Sequence, residues 1–368
     1  ERARARTRAG AAMPEQPAAD EAEAKSEAKG EADAAAGSGG PLGPPQKHFR
    51  GVLPPIPRTI ALPTLADLPE KRAAKYQDKE REPRVRLFVL YGVADNFVEW
   101  LPFITESPEW VEVAVYECKA HGVRDSEPWD SSMEERLEDV WTAVLPAMEE
   151  MALGGCVEGA PFAFFVHSSG AQLLTMLCKR LKDRLSLDPT GIFIADRSPP
   201  NIRAISDFGY KLLCEEHVKF FEHFNPRAAK LYGKDNPVSD AMYERWRRGM
   251  RLTQEHVCEE KYHVFDCPIH VFVAMVIFEQ DKAAAKGSKG GMTPEALAQF
   301  KKRCLVVQSV KDSSADWDLR QFGMWRRWAA SGKADVQKVM CDHGECRFHP
   351  QVQEVLWKEL AAAKDAKV

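Results

Sequence analysis

The sequence predicts an α/β fold built on a mostly parallel, doubly wound sheet. Short apolar runs rich in β-branched and aromatic residues recur along residues 85–278, as is typical of buried strands. Amphipathic segments with helical spacing lie between these runs. Strands that alternate with helices favour parallel pairing, because each crossover returns the chain to the same end of the sheet.

The predicted elements follow one another in a regular order. The strands are “VRLFVLYG” from Val85, “VEVAVYEC” from Val111, “FAFFVH” from Phe162, “GIFIAD” from Gly191 and “PIHVFVAMVIF” from Pro268. The helix before the third strand has apolar residues at helical spacing, namely Met133, Leu137, Val140, Trp141, Val144 and Leu145. The helix after it has Leu173, Leu174, Met176, Leu177 and Leu181. Residues 205–262, charged and rich in aromatics, predict a helical insertion between the fourth and fifth strands.

The composition divides the 368 residues into three parts. Residues 1–46 consist mainly of Ala, Glu, Lys, Gly and Pro, and a segment with so few large apolar groups cannot offset its ordering entropy. We therefore expect a disordered low-complexity tail there. Residues 47–83 are spaced by prolines and predict an extension over the surface of a domain. Residues 84–365 form the predicted α/β domain.

Charge and cysteine content exclude several classes of protein. The formal net charge of −4 gives no basic field for nucleic acid, and no apolar run reaches the roughly 18 residues of a membrane span. Nine cysteines without a C-x-x-C pair indicate reduced thiols, which predicts a cytoplasmic location. The Arg-rich start is also typical of the end of a transit peptide, which would place the protein in a plastid.

The segment Val166-His167-Ser168-Ser169-Gly170 places a serine between a predicted strand and a predicted helix. A serine on such a turn is exposed as a nucleophile, and the next backbone N–H points towards the developing oxyanion. The pattern is that of a G-x-S-x-G elbow in which Val166 replaces the first glycine. The alternative is a serine that only caps the helix, and the pentapeptide alone favours neither interpretation.

Further segments resemble the type II thioesterases of polyketide and nonribosomal peptide synthesis, which are α/β-hydrolases with a G-H-S-x-G elbow. “LYGVADNFVEWLPF” follows the outline of the family's first loop and aromatic helix. “KAHGVRDSEP” retains four residues of the family's P-G-R-G-x-R-x-x-E-P segment, and “SDAMYERWRRGMRLTQEHVCEEKYHVFDCPIHVF” is similar to its lid helices and following strand. The retained residues are Gly122, Arg124, Glu127 and Pro128. The resemblance covers residues 84–360 and implies a helical lid at about 205–262.

The resemblance assigns catalytic roles to matching positions. Ser168 would attack the thioester carbonyl, and the backbone N–H groups of Gly92 and Ser169 would hold the oxyanion. His343, in “VMCDHGECRF”, stands where the family has Gly-Gly-His before its last helix, here “PQVQEVLWKEL”. It would take the serine proton and later return one to the leaving thiol.

Two positions compete for the acid that orients His343. In type II members the acid follows the sixth strand, a region that here contains Asp312, Asp316 and Asp318 but no glycine pair. In the related thioesterase domains that end polyketide and fatty-acid synthases, it follows the strand after the elbow helix, where Asp196 lies. We prefer Asp196 because it lies at a defined strand end, and we keep Asp316 as the alternative.

The remaining histidines are interpreted as structural, and the side chain of His167 is expected to point away from the nucleophile. Cys341, His343, Cys346 and His349 could form a zinc site, but their spacing matches no common zinc pattern. No metal and no cofactor are predicted, since thioester hydrolysis needs only a nucleophile, a base and oxyanion donors.

The lid segment suggests a substrate and a partner. Its phenylalanines would form an apolar surface for an acyl chain, or would simply pack against the core. Its arginines would suit an acidic acyl or peptidyl carrier protein that presents the acyl group on phosphopantetheine, or would form an ordinary solvated face. These residues are Phe220, Phe221, Phe224, Arg245, Arg247, Arg248 and Arg251.

The predicted function is hydrolysis of acyl thioesters from a carrier protein, in polyketide, nonribosomal peptide or fatty-acid synthesis. Two alternatives remain open. One is a degenerate member that binds acylated carrier protein without turnover, for which the replaced glycine at Val166 and the missing glycine pair argue. The other is an acyltransferase or cyclase on the same fold.

Overall fold

The structure, a computed structural model, describes most of residues 85–365 together with a short segment near residue 50. The described residues are 49–50, 85–93, 95–152, 161–224, 234, 239–256, 265–274 and 321–365. The predicted tail at 1–46 lies outside them, as does most of the predicted extension at 47–83.

Seven strands form one sheet in the order β1-β3-β2-β4-β5-β6-β7. Strands β2 to β7 are parallel, and the two-residue β1 pairs antiparallel with β3 at the edge. This confirms the predicted α/β class with a mostly parallel sheet. The strands are β1 Phe49–Arg50, β2 Val85–Leu90, β3 Val111–Tyr116, β4 Phe162–His167, β5 Gly191–Ala195, β6 Ile269–Ala274 and β7 Asp335–Val339.

The five strands that the sequence predicts, β2 to β6, are buried along their whole length. Helices cover both faces of a doubly wound sheet, so its inner strands appear in the sequence as continuous apolar runs. The edge strand β7 was not predicted, because “DVQKV” is mostly polar and only its last residue, Val339, is buried. The pairing of Phe49–Arg50 with β3 was not predicted either, since two residues carry no periodicity.

Seven helices are described, and they include the two that the sequence predicts around β4. They are α1 Leu101–Glu106, α2 Met133–Ala152, α3 Gly170–Leu185, α4 Asp207–Glu215, α5 His217–Phe224, α6 Asp240–Glu255 and α7 Pro350–Asp365. Helices α4, α5 and α6 lie between β5 and β6, so the insertion contains helices as predicted, whereas its role as a lid stays a prediction. None of the helices in the described part of the chain has the length and apolar character needed to cross a membrane.

The strand order creates a switch point between β2 and β4. The chain goes from β2 outward to β3 and then crosses back to β4 on the other side of β2. The loops after β2 and β4 therefore leave the sheet in opposite directions, and in open parallel sheets this crevice at the carboxyl ends is where ligands bind. Gly92 follows β2 and Ser168 follows β4, so both candidate residues border the crevice.

Candidate active site

Ser168 occupies a sharp turn between β4 and α3. Its φ of 52° lies in the left-handed region, which is unfavourable for a residue with a Cβ. The backbone N–H of Ser168 donates to Ala195 O at 3.1 Å, which ties the turn to the neighbouring strand β5. The side chain remains partly exposed although the residues on both sides are buried. A strained residue of this kind costs about 1–3 kcal/mol, and such residues concentrate at functional sites.

The two glycine positions of the elbow pattern differ in what they require. A Cβ on Gly170 would lie 2.3 Å from Leu90 O, because α3 begins directly against the end of β2. Val166, in contrast, lies within β4 and pairs with Leu90 and Ile194, with its side chain buried in the core. The turn begins after His167, so Val166 replaces the family's first glycine without blocking the elbow.

We expect Gly170→Ala to reduce the free energy of unfolding by about 1–3 kcal/mol or more, the range for overpacked sites. The obstacle is a backbone carbonyl, so the start of α3 and the end of β2 must move apart. Urea unfolding measures the loss. Gly323→Ala is the matched control, because a Cβ there meets nothing within 4 Å. Equal stability of the two variants would contradict the close approach at Gly170.

His343 and Asp196 meet although 147 residues separate them in the chain. His343 Nδ1 lies 2.6 Å from Asp196 Oδ2, and Asp196 Oδ1 accepts from the Ala274 backbone N–H at 3.0 Å. Asp196 also has a left-handed φ of 53°, at the carboxyl end of β5. With its Nδ1–H donated to this carboxylate, the imidazole of His343 can accept a proton at Nε2.

Two alternatives from the sequence concern the late-loop acids and a zinc site. Asp312, Asp316 and Asp318 lie outside the described residues. No group of three or more His, Cys, Asp and Glu side chains within the described part of the chain is arranged to hold a metal ion. Cys341 and Cys346 are buried free thiols on either side of the His343 turn, and Cys346 Sγ lies 3.8 Å from Phe272 O.

Gly92 lies directly beside the elbow. A Cβ built on Gly92 would be 3.2 Å from Ser168 Cβ and 3.6 Å from Ser168 Oγ. The loop that follows Gly92 is held from β3 by the fully buried Glu117, whose Oε1 accepts from Tyr91 Oη at 2.6 Å and whose Oε2 accepts from the Phe97 N–H at 3.2 Å. Glu117 therefore fixes both ends of the loop that carries Gly92, a role that the sequence analysis missed.

Tyr91→Phe tests this clamp. The change removes the donor to Glu117 and the acceptor for the Cys118 N–H, so buried polar groups lose partners. We expect Tyr91→Phe to lose about 1–3 kcal/mol in urea unfolding. A stability equal to that of the wild type would contradict the clamp.

The retained residues of the “KAHGVRDSEP” segment support the fold around this loop. Arg124 is buried and donates to Glu127, to Asp139 and to the backbone oxygen of Glu117. A Cβ on Gly122, whose φ is +48°, would lie 2.6 Å from Glu117 Oε2. Arg124 and Gly122 therefore lie directly against Glu117, and Glu127 holds the guanidinium of Arg124.

His167 contacts the His343 turn, contrary to the expectation of a side chain that points away. Its ring is buried, its Nε2 lies 3.0 Å from His343 O, and its Nδ1 lies 3.2 Å from Asp95 Oδ2. Arg347 pairs with the same Asp95 oxygen and donates to Glu99 at 3.0 Å. Burial lowers the pKa of His167, although the neighbouring Asp95 carboxylate opposes this. Burial would raise the pKa of Asp95, but His167 and Arg347 bring it below its usual value.

The helical insertion contacts the Gly92 loop through α6. A Cβ on Gly249 would lie 2.7 Å from the side chain of Val93, so α6 packs closely on the residue that follows Gly92. Phe220 and Phe221 are fully buried in a small cluster with Val93, and the side chain of Phe224 lies outside the described residues. The arginines of α6 are largely paired within the helix: Arg247 and Arg248 with Glu244, and Arg251 with Glu255.

Comparison with known proteins gives distant relatives. No family model matches the chain. Over 110 residues, 30% of this chain and 37% of the relative, it is 26% identical to the medium-chain S-acyl fatty acid synthase thioesterase of Rattus norvegicus. Over 192 residues, 51% of this chain and 69% of the relative, it is 22% identical to the gramicidin S biosynthesis protein GrsT of Aneurinibacillus migulanus. The match therefore spans little more than a third of the rat protein.

Solved structures establish the fold. ClbQ from the colibactin NRPS/PKS pathway superposes with a TM-score of 0.51 at 16% identity, over 77% of this chain and 99% of that one. The type II thioesterase BorB from the borrelidin biosynthetic cluster gives a TM-score of 0.48 at 13% identity, over 75% of this chain and 91% of that one. The superposition on ClbQ and the mostly parallel sheet give this chain the α/β-hydrolase fold.

Proposed function

We propose that this chain, an α/β-hydrolase by fold, is a serine hydrolase that releases acyl groups from thioesters. The observation that carries the proposal is the hydrogen bond between His343 and Asp196, together with the left-handed turn at Ser168, whose backbone N–H donates to Ala195, the neighbour of Asp196. The three residues follow three different strands and converge at the switch-point edge of the sheet. A positioned hydroxyl, an imidazole and a carboxylate form the constellation of serine hydrolases on many folds.

Each residue has a defined part in the first half-reaction. The Ser168 hydroxyl attacks the thioester carbonyl while His343 Nε2 takes its proton. Asp196 holds the proton of His343 on Nδ1 and stabilises the imidazolium. The oxyanion lies against the backbone N–H groups of Ser169 and Gly92, and the N-terminus of α3 adds a favourable dipole. His343 then gives its proton to the leaving thiol.

Water completes the reaction in the second half. His343 takes a proton from water as the water oxygen attacks the acyl-serine carbonyl. The tetrahedral intermediate uses the same two N–H groups, and its collapse returns the proton to the Ser168 oxygen and releases a carboxylic acid. These steps use only groups of the chain, water and the thioester.

The substrate we propose is an acyl or peptidyl group carried on phosphopantetheine by a carrier protein. The names of two relatives support this, since one is a fatty acid synthase thioesterase and the other acts in gramicidin S biosynthesis. The pairing of the α6 arginines with glutamates of the same helix reduces their value as a dedicated docking surface, so charge alone does not carry the choice of partner.

A fluorophosphonate probe and a series of acyl carrier thioesters test the proposal together. We expect the probe to form an adduct that peptide mapping places on Ser168, and we expect hydrolysis rates that depend on acyl chain length. A folded protein that binds acyl carrier protein but neither reacts with the probe nor hydrolyses any thioester would favour the alternative of a binding protein. Acyl transfer to an added amine or alcohol that outpaces hydrolysis would favour an acyltransferase or cyclase.

A further inference from the structure

The candidate base His343 lies on a turn that is closed by hydrogen bonds from the Glu345 and Cys346 N–H groups to Asp342 O. Gly344 and Glu345 are exposed, and the side chain of His343 is 32% exposed. Catalysis needs this imidazole in one place, since a displacement of about 1 Å can reduce the rate a hundredfold. The hydrogen bonds within the turn fix its shape, and contacts with other loops fix its place relative to Ser168.

His167 supplies such a contact from the elbow itself. Its Nε2 lies 3.0 Å from the carbonyl oxygen of His343, and the two imidazole rings pack with centroids 4.7 Å apart. The next residue in the chain is Ser168, so one short segment carries the nucleophile and fixes the backbone of the base. A carbonyl oxygen can only accept, so this hydrogen bond requires a proton on Nε2 of His167.

The other side of the His167 ring is anchored to a third loop. With its proton on Nε2, the neutral ring can accept at Nδ1 from Arg347 Nη1, which lies 3.5 Å away, and Asp95 Oδ2 lies beside this contact at 3.2 Å from Nδ1. Arg347 follows His343 by four residues, pairs with Asp95 and Glu99, and lies over the ring of Trp100 at 4.9 Å. The His343 turn is thus tied to the Gly92 loop through Arg347 and to the elbow through His167.

We propose that His167 is a positioning residue that holds the backbone of His343 through its Nε2–H, so that the imidazole of His343 stays between Ser168 and Asp196. The proposal deepens the proposed hydrolase function and rests on it. His167 itself touches no reacting atom in this scheme. Its effect passes through His343, which distinguishes it from a second base.

Substitution of His167 by glutamine or by asparagine distinguishes the contacts of its two ring nitrogens. The amide nitrogen of glutamine reaches about where Nε2 of histidine lies, and that of asparagine about where Nδ1 lies. His167→Gln therefore retains a donor for the His343 carbonyl, whereas His167→Asn retains only the contact on the Asp95 side. The activity of both variants is measured with the octanoyl thioester of phosphopantetheinylated acyl carrier protein as the substrate.

We expect His167→Asn to lower kcat about a hundredfold with little change in KM, because substrate binding does not involve this contact. His167→Gln should stay within about fivefold of the wild type. Thermal unfolding of both variants reports the general cost of replacing a buried ring, which should be similar for the two. Equal kcat values for the two variants would overturn the proposal.

A measurement on the wild-type protein depends neither on turnover nor on the folding of a variant. In protein labelled with 15N-histidine, the nitrogen shifts of His167 report which ring nitrogen carries a proton. We expect a proton on Nε2 that exchanges slowly with solvent, because the ring is 3% exposed. A bare Nε2 would overturn the positioning role even if the enzyme is active. An inactive protein with a protonated, protected Nε2 would instead contradict only the hydrolase function.

Discussion

Ser168→Ala is expected to lower kcat for acyl thioester hydrolysis by about 10⁵- to 10⁶-fold, the scale of losing the nucleophile of a serine hydrolase. Without the hydroxyl no acyl-enzyme forms, and the oxyanion donors alone give a small residual rate. The fold should persist, because serine and alanine meet similar strain at a φ of 52°. Single-turnover hydrolysis of an acyl carrier thioester measures the loss, and labelling by a fluorophosphonate should disappear with it.

Ser186→Ala is the matched control for this substitution. Ser186 also has a left-handed φ, 55°, but lies exposed at the other end of α3. Ser186→Ala therefore measures the effect of a serine-to-alanine change on left-handed backbone and on α3, at a position outside the crevice. If Ser168→Ala retained a tenth of the wild-type kcat while Ser186→Ala retained all of it, another nucleophile would have to carry the reaction.

The sheet could be predicted from the sequence wherever burial on both faces makes a continuous apolar run. “FAFFVH” and “GIFIAD” show this, since both strands are buried throughout and both were predicted. The edge strand “DVQKV” has no such signal, because only Val339 at its end is buried. Its parallel pairing with β6 depends on a neighbour more than 60 residues earlier in the chain, and no local pattern encodes that neighbour.

The candidate site was predictable to the extent that its residues lie at strand ends. Ser168 and Asp196 follow apolar runs directly, and at the switch-point edge of a parallel sheet such positions converge. The contacts of His167 and Arg347 had no comparable signal. They join loops 176 and 252 residues apart, through a backbone carbonyl and the carboxylate of Asp95, and such pairings depend on how the loops pack above the sheet.

The proposed base His343 depends most directly on Asp196, and Asp196→Asn is expected to lower kcat about 10⁴-fold. Asp196 Oδ1 already accepts from the Ala274 N–H, so asparagine would keep its oxygen there and turn its NH₂ towards His343 Nδ1. Two donors cannot face each other, so Nδ1 would lose its proton and Nε2 would hold it, which removes the base. Asparagine tolerates a φ of 53° well, so the fold should be retained.

Asp335→Asn provides the matched control, because it alters another aspartate that faces a histidine. Asp335 Oδ2 lies 3.4 Å from His270 Nδ1, near the opposite end of the sheet, and its side chain is 51% exposed. The kcat of Asp335→Asn should equal that of the wild type. If Asp196→Asn reduced kcat less than tenfold under the same conditions, Asp196 could not be the residue that fixes the tautomer of His343, and Asp316→Asn would become the decisive variant. If Asp196→Asn loses kcat but keeps the thermal stability of the wild type, the substitution acts on the chemical step, because the variant conserves the hydrogen bond from Ala274.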